Sequence, residues 1–224
     1  MEYGFKIRAE FAHVKLITKS LDILKSISKG ELTRCAFLLE ENKKSYLETK
    51  LEYPEFIDLR LNNLKSYLLS IEKQYFNNRY LNILQLGEFG CQLTDIKQRF
   101  IDTGIIMRKK KLIKIEIQIN LEDLDVINLA CELYWKIICG HLDHLADVDL
   151  HKVDKELLKE SLFKICDLAT GFEDNNARLQ IDNRAVNRKA KWAYDICKSI
   201  DSINNNDIIK NIGTLPRLKI IKND

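Results

Sequence analysis

The run Leu112-Ile-Lys-Ile-Glu-Ile-Gln-Ile119 alternates apolar and polar residues without interruption. Ile113, Ile115, Ile117 and Ile119 fall on one side and Lys114, Glu116 and Gln118 on the other, the pattern of a strand with one buried and one wet face. A lone strand is not stable, so this one must pair. Its candidate partners are Ile105 to Arg108, the segment Leu218-Lys-Ile-Ile221, or a second copy of the chain. The last option makes a homo-oligomer the expected state.

The strand leads directly into a helix start. Asn120 is placed to cap it, Asp123 imitates a capping box at the N3 position, and Glu122 and Asp125 suit its positive end. The apolar side of this helix includes Leu124, Ile127, Cys131, Tyr134, Ile138, Leu142 and Leu145. With only 2 Pro and 8 Gly in 224 residues, long helices are favoured elsewhere as well. Helical periodicity predicts helices over 6–28, 31–52, 54–76, 92–102, 154–169 and 176–203, with a short one ending at Leu86. Gly87 to Gly90 reads as a break, Gly104 as a helix stop, and Asn77-Asn78 as a turn. The fold class is therefore mostly α with a small β-sheet (α+β). A helical region, 1–104, is followed by a strand-and-helix region, 105–224.

The net charge is +3, from 36 basic and 33 acidic residues, which is too small to imply nucleic-acid binding by itself. Any useful charge must be a local patch. The six cysteines are dispersed, with no CxxC pair, and most sit among apolar helix positions. No signal peptide is visible and no apolar run approaches the length of a bilayer span, so a cytoplasmic protein without membrane contact is expected.

Four constellations could carry chemistry. The first is Cys139-Gly-His141-Leu-Asp-His144-Leu-Ala-Asp147-Val-Asp-Leu-His151. On a continuous helix His141, His144, Asp147 and His151 share one sector and suit Zn²⁺ or Mn²⁺, although Gly140 and Asp147 to Asp149 could each interrupt that helix. Beyond this possible divalent metal, no cofactor is implied. The plain reading is histidines at the edge of an apolar helix face.

The second is Arg8-Ala-Glu-Phe-Ala-His13, which resembles the Arg-x4-His string of the HEPN ribonucleases. That resemblance implies an arginine and a histidine acting on RNA in a composite dimer site. Here the string falls on the first predicted helix, and its second position is Ala rather than a polar residue. The ordinary alternative is an exposed Arg and His about 140° apart on that helix.

The third is a basic stripe on the last helix, Arg184, Arg188, Lys191 and Lys198, opposite an apolar face that includes Ala190, Ala193, Cys197 and Ile200. Arginine forks match phosphate oxygens, and Trp192 and Tyr194 flank the stripe where they could stack on a base. The fourth is Arg108-Lys-Lys-Lys111 before the strand. With a hairpin over 105–119 it could form a winged helix; otherwise it protects a strand edge.

The segment Ile115 to Leu124, with Ala130-Cys-Glu-Leu-Tyr134-Trp-Lys-Ile-Ile-Cys-Gly140-His, resembles a set of small phage and prophage proteins of no established activity. Lys191-Trp-Ala-Tyr-Asp195-Ile and Leu215-Pro-Arg-Leu-Lys-Ile220 follow in the same order. The chain departs from that set at Lys136, in place of Arg, and at His141, in place of Gln. The resemblance runs from Leu112 onward and carries over no functional residue. It implies a role in phage–host conflict.

No Walker A loop, GxGxxG turn or GxSxG elbow is present, which lowers the expectation of an enzyme. The expected function is binding of an anionic partner, either a nucleotide-type small molecule or nucleic acid, through Arg184, Arg188, Lys191, Trp192 and Tyr194. The alternatives are a metal-dependent hydrolase or nuclease using His141, His144 and Asp147, and a protein–protein inhibitor with no small ligand.

Overall fold

Residues Lys6 to Glu10, expected to open a helix, instead belong to the strand Phe5–Glu10, which pairs with Lys114–Ile119. The computed structural model describes residues 4–41, 54–76, 86–148, 154–170, 180–183, 186–205 and 219–222. In chain order these form β1 (Phe5–Glu10), α1 (Phe11–Ser28), α2 (Arg34–Glu40), α3 (Pro54–Tyr75), α4 (Gly87–Lys110), β2 (Lys114–Ile119), α5 (Leu121–Ile138), a 3-10 turn (Leu142–Asp147), α6 (Lys155–Phe163), α7 (Cys166–Thr170), α8 (Arg188–Asn205) and β3 (Lys219–Lys222). The protein is mostly α with one small antiparallel sheet, as expected.

The sheet order is β2-β1-β3. Phe5 lies opposite Ile119 on one side and Lys222 on the other. β3 thus joins the sheet, but its partner is β1 and not β2. The other expected partner, Ile105 to Arg108, lies within α4, so the 105–119 hairpin and the winged helix built on it do not form. Phe5, Ile7, Ala9, Ile117 and Ile119 turn their side chains into the core. Lys6, Arg8 and Glu10 face outward, where Arg8 donates to Glu116 and Lys114 pairs with Glu10 at 3.5 Å.

The chain passes from β1 into α1 without a loop. At that junction His13 Nδ1 accepts from the Glu10 backbone N–H at 3.0 Å, and His13 is buried. The Arg-x4-His string is therefore split between a strand and a helix. Arg8 is committed across the sheet and His13 to the helix start, rather than both being exposed on one helix.

α1 is the centre of the molecule. It packs on α4 and α5, and α5 packs in turn on α8. Ile17, Leu21, Leu24 and Ile27 are fully covered, each worth about 1.5–3 kcal/mol of apolar burial. Sheet and helices share one apolar cluster. The expected division at 104/105 falls inside α4, and the sheet draws strands from both sides of it.

α4 runs unbroken from Gly87 to Lys110, through both expected interruptions. Gly104 is not a stop. It is buried against α1, where a Cβ would lie 3.4 Å from Val14 Cγ1. α2 is described only to Glu40, and 77–85 lies outside the described residues. The helix expected over 154–169 is two pieces, α6 and α7, separated at Lys164 and Ile165. The last long helix starts at Arg188 rather than near 176, with Asn187 Oδ1 accepting from Lys189 N at 2.7 Å.

Among the described residues, three helices end in the same turn. After α1, Gly30 N donates to Ile27 O at 2.7 Å and Glu31 N to Ser26 O at 3.0 Å. After α5, Gly140 N donates to Ile137 O and His141 N to Lys136 O, both at 2.9 Å. Each pair of bonds is a Schellman motif, with glycine at the left-handed position. Gly30 has φ 78° and Gly140 has φ 83°. After α4 the same bonds run from Lys111 to Arg108 and from Leu112 to Met107, but here the left-handed residue is Lys111, with φ 51°. A side chain in that region costs about 1 kcal/mol, so Lys111→Gly is expected to raise stability by about that amount. A melting temperature unchanged or lowered would count against the turn.

Candidate functional site

The turn at Gly140 decides where the histidines go. α5 ends at Ile138, so they do not lie on a continuous helix. The chain reverses through Gly140 and enters the 3-10 turn, which Leu142, Leu145 and Ala146 anchor to the core. This brings His141, Asp143 and His144 together, with one donor atom from each within 4.8 Å of the others. Asp143 is buried, while both histidines are half-exposed.

Asp147 holds a different place from the one expected. Its Oδ2 lies 2.6 Å from His144 Nδ1, behind the ring. Lys136 Nζ lies 3.2 Å from the same nitrogen and 2.7 Å from Glu132 Oε1. The carboxylate needs a hydrogen on Nδ1, whereas the ammonium needs a lone pair there. The Asp147 contact is shorter, and Lys136 already has Glu132, so the geometry favours the tautomer with Nδ1–H. His151 lies outside the described residues.

This corner touches α8 through aromatic rings. The Trp135 ring meets His141 edge-on at 6.2 Å and Tyr194 edge-on at 5.3 Å. Burial pushes the Cys139 thiol up to about 12, with the Lys191 ammonium opposing that shift, so Lys191 lies near the same corner. Two constellations read separately from the sequence, the histidines and the last helix, thus meet at Trp135.

The basic stripe itself does not converge on one point. The Arg188 guanidinium lies 5.3 Å from the Trp192 ring centroid. Lys191 donates to the Asp182 carbonyl at 3.4 Å. Lys198 pairs with Asp201 at 3.6 Å and lies over Tyr194. The Trp192 indole nitrogen is buried with no hydrogen-bond partner among the described residues. Arg184 lies outside the described residues.

A second concentration of charge sits at the end of α1, where no motif signalled it. An open cleft of about 620 Å³ lies between α1, α2 and α4. Lys19, Lys25, Lys29, Arg34 and Lys97 line it, and among the described residues its counter-charges are Asp22, Glu31 and Glu41. Each carboxylate has a cation: Lys97 meets Asp22 at 2.5 Å, Arg34 meets Glu31 at 4.0 Å, and Lys19 pairs with Glu41. Among the described residues no carboxylate pairs with Lys25 or Lys29. Lys25 donates instead to the Thr94 hydroxyl at 2.7 Å. Phe37 stands exposed at the rim, and Lys189 reaches Glu41 from the first turn of α8 at 3.9 Å. The four-residue spacing of Lys25 and Lys29 was visible in the sequence; the neighbours that make it a cleft were not.

No helix of the described residues is long and apolar enough to cross a membrane. Comparison with protein families, with curated proteins and with solved structures found no match to this chain.

Proposed function

We propose that the protein is a binding protein for a phosphate-bearing small molecule of the nucleotide type, held in the cleft between α1, α2 and α4. The observation that carries this reading is the pair Lys25 and Lys29. They are half-exposed cations facing one cleft whose three carboxylates already have partners. Phosphate oxygens would supply the missing counter-charge through charge-assisted hydrogen bonds. The cleft volume falls within the roughly 300–1,000 Å³ typical of small-ligand sites. Phe37 offers a flat apolar surface to a base at the rim. This reading keeps the anionic ligand expected from the sequence and moves its centre from the face of α8 to the end of α1, with the start of α8 at the rim.

The six cysteines are all unpaired, and burial pushes the Cys131 thiol up to about 12, far from a reactive thiolate. That pattern supports a reducing, cytoplasmic setting.

The test is a thermal-shift titration with adenosine triphosphate and with inorganic pyrophosphate. The wild-type melting temperature is expected to rise with concentration. Lys25→Ala/Lys29→Ala is expected to weaken the response at least tenfold, from the loss of two charge-assisted contacts worth about 1.5–3 kcal/mol each. Arg188→Ala is expected to leave it within a few-fold. An undiminished response in the lysine double variant, or no response in the wild type, overturns the assignment.

A further inference from the structure

The corner after α5 supports a second binding function that does not depend on the anion cleft. We propose that His141, Asp143 and His144 form a binding site for one divalent transition-metal ion of the zinc class. Two imidazoles and one carboxylate are an ordinary ligand set for such an ion. Their donor atoms lie within 4.8 Å of one another. Around a tetrahedral ion with bonds of about 2.0–2.2 Å, donors stand roughly 3.3–3.6 Å apart, so the side chains need draw in by little more than 1 Å. All three residues sit on one short turn, and His141 and His144 are half-exposed, so this adjustment leaves the packed helices in place.

Three further features favour metal over a solvated pair of histidines. Asp147 behind His144 is the arrangement that orients a ligating imidazole. With Nδ1–H given to the carboxylate at 2.6 Å, Nε2 is left with its lone pair for the ion. The carboxylates of Asp143 and Asp147 both lie at the corner, and the nearby Lys136 cation is offset by Glu132 at 2.7 Å. The Schellman turn at Gly140 fixes the backbone of His141 relative to α5, so the first ligand is positioned before any ion arrives. Three protein ligands leave a fourth position open to water or to an anionic group.

The Trp135 ring, centred 6.2 Å from the His141 ring, supplies a direct readout. Tag-free protein is stripped with a chelator, then titrated with Zn²⁺ by calorimetry and with Co²⁺ by visible absorption and tryptophan emission. One Zn²⁺ per chain is expected, with a dissociation constant in the micromolar range or below. Co²⁺ is expected to give ligand-field bands and to quench emission. His141→Ala/His144→Ala is expected to abolish all three signals. Asp147→Asn, a change at an exposed carboxylate, is expected to weaken binding about 10- to 100-fold while the circular dichroism spectrum stays unchanged. No uptake tighter than millimolar by folded wild-type protein overturns the site, as does unchanged uptake in the double-histidine variant. The phosphate titration reads a different cleft, so either result stands without the other.

Discussion

Replacing Gly30 with alanine is expected to destabilise the protein by about 3–5 kcal/mol. Two effects add. Gly30 sits at φ 78°, where a residue with a Cβ is strained by about 1–3 kcal/mol. The added carbon would also stand 2.5 Å from Phe76 Cγ and 2.7 Å from Phe76 Cβ. Phe76 is itself buried, and it follows α3 directly, so the ring cannot swing into solvent without uncovering the core. Overpacking of this kind adds about 1–3 kcal/mol. Gly87 is the matched control. It also has positive φ, but nothing lies within 4 Å of its added carbon, so Gly87→Ala should lose only about 1 kcal/mol. Urea midpoints of the two variants separate backbone strain from collision. Equal losses would mean that Phe76 does not press on the turn.

The second large effect is expected at Asp123. Asn120 caps α5 as the sequence suggests, its Oδ1 accepting from Asp123 N at 2.7 Å. The Asp123 carboxylate, expected to imitate a capping box, instead reaches across to α4. It is buried, and it accepts from Arg99 at 2.5 Å and from Gln92 at 3.1 Å, both on α4. Asp123→Ala therefore leaves a guanidinium and an amide facing an empty position, and removes a negative charge from a helix N-terminus. Breaking a buried pair from one side costs about 3–5 kcal/mol. Arg99 is about a third exposed, and solvent will recover part of that, so a loss of about 2–3 kcal/mol is expected. A double-mutant cycle with Arg99→Met, read from urea denaturation, should give a coupling of about 1–2 kcal/mol. Additive losses would show that the two helices are not joined through this pair.

The helices were legible in the sequence where apolar periodicity was long, as in α1, α3 and α5. β1 was not read, although its alternation was visible. Phe5, Ile7 and Ala9 face in and Lys6, Arg8 and Glu10 face out, but the run is short and enters α1 with no breaker between. The helical period of Phe11, Val14 and Ile17 extended backward over it. α4 was under-read for the opposite reason. Gly87, Gly90 and Gly104 carry breaker propensity, yet burial against α1 outweighs about 1 kcal/mol per glycine. The histidines were legible as residues but not as geometry. Gly140 marked the turn, but a 3-10 path, which puts Asp143 in the group and Asp147 behind His144, follows from tertiary packing of Leu142 and Leu145. The cleft lysines were invisible as a site because their neighbours come from α2 and α4.

The central position of β1 sets an order of events during synthesis. β1 emerges first among the described elements, yet both strands that flank it come far later in the chain. At about 5–20 residues per second, β2 follows β1 after on the order of 5–20 seconds and β3 after on the order of 10–40 seconds. Until β2 arrives both edges of β1 are open templates for another chain, and the edge that β3 will cover stays open longer. The outward charges of Lys6, Arg8 and Glu10 discourage such pairing. The sheet then behaves as a clasp, closed by β3 only after the helices it covers have had time to pack.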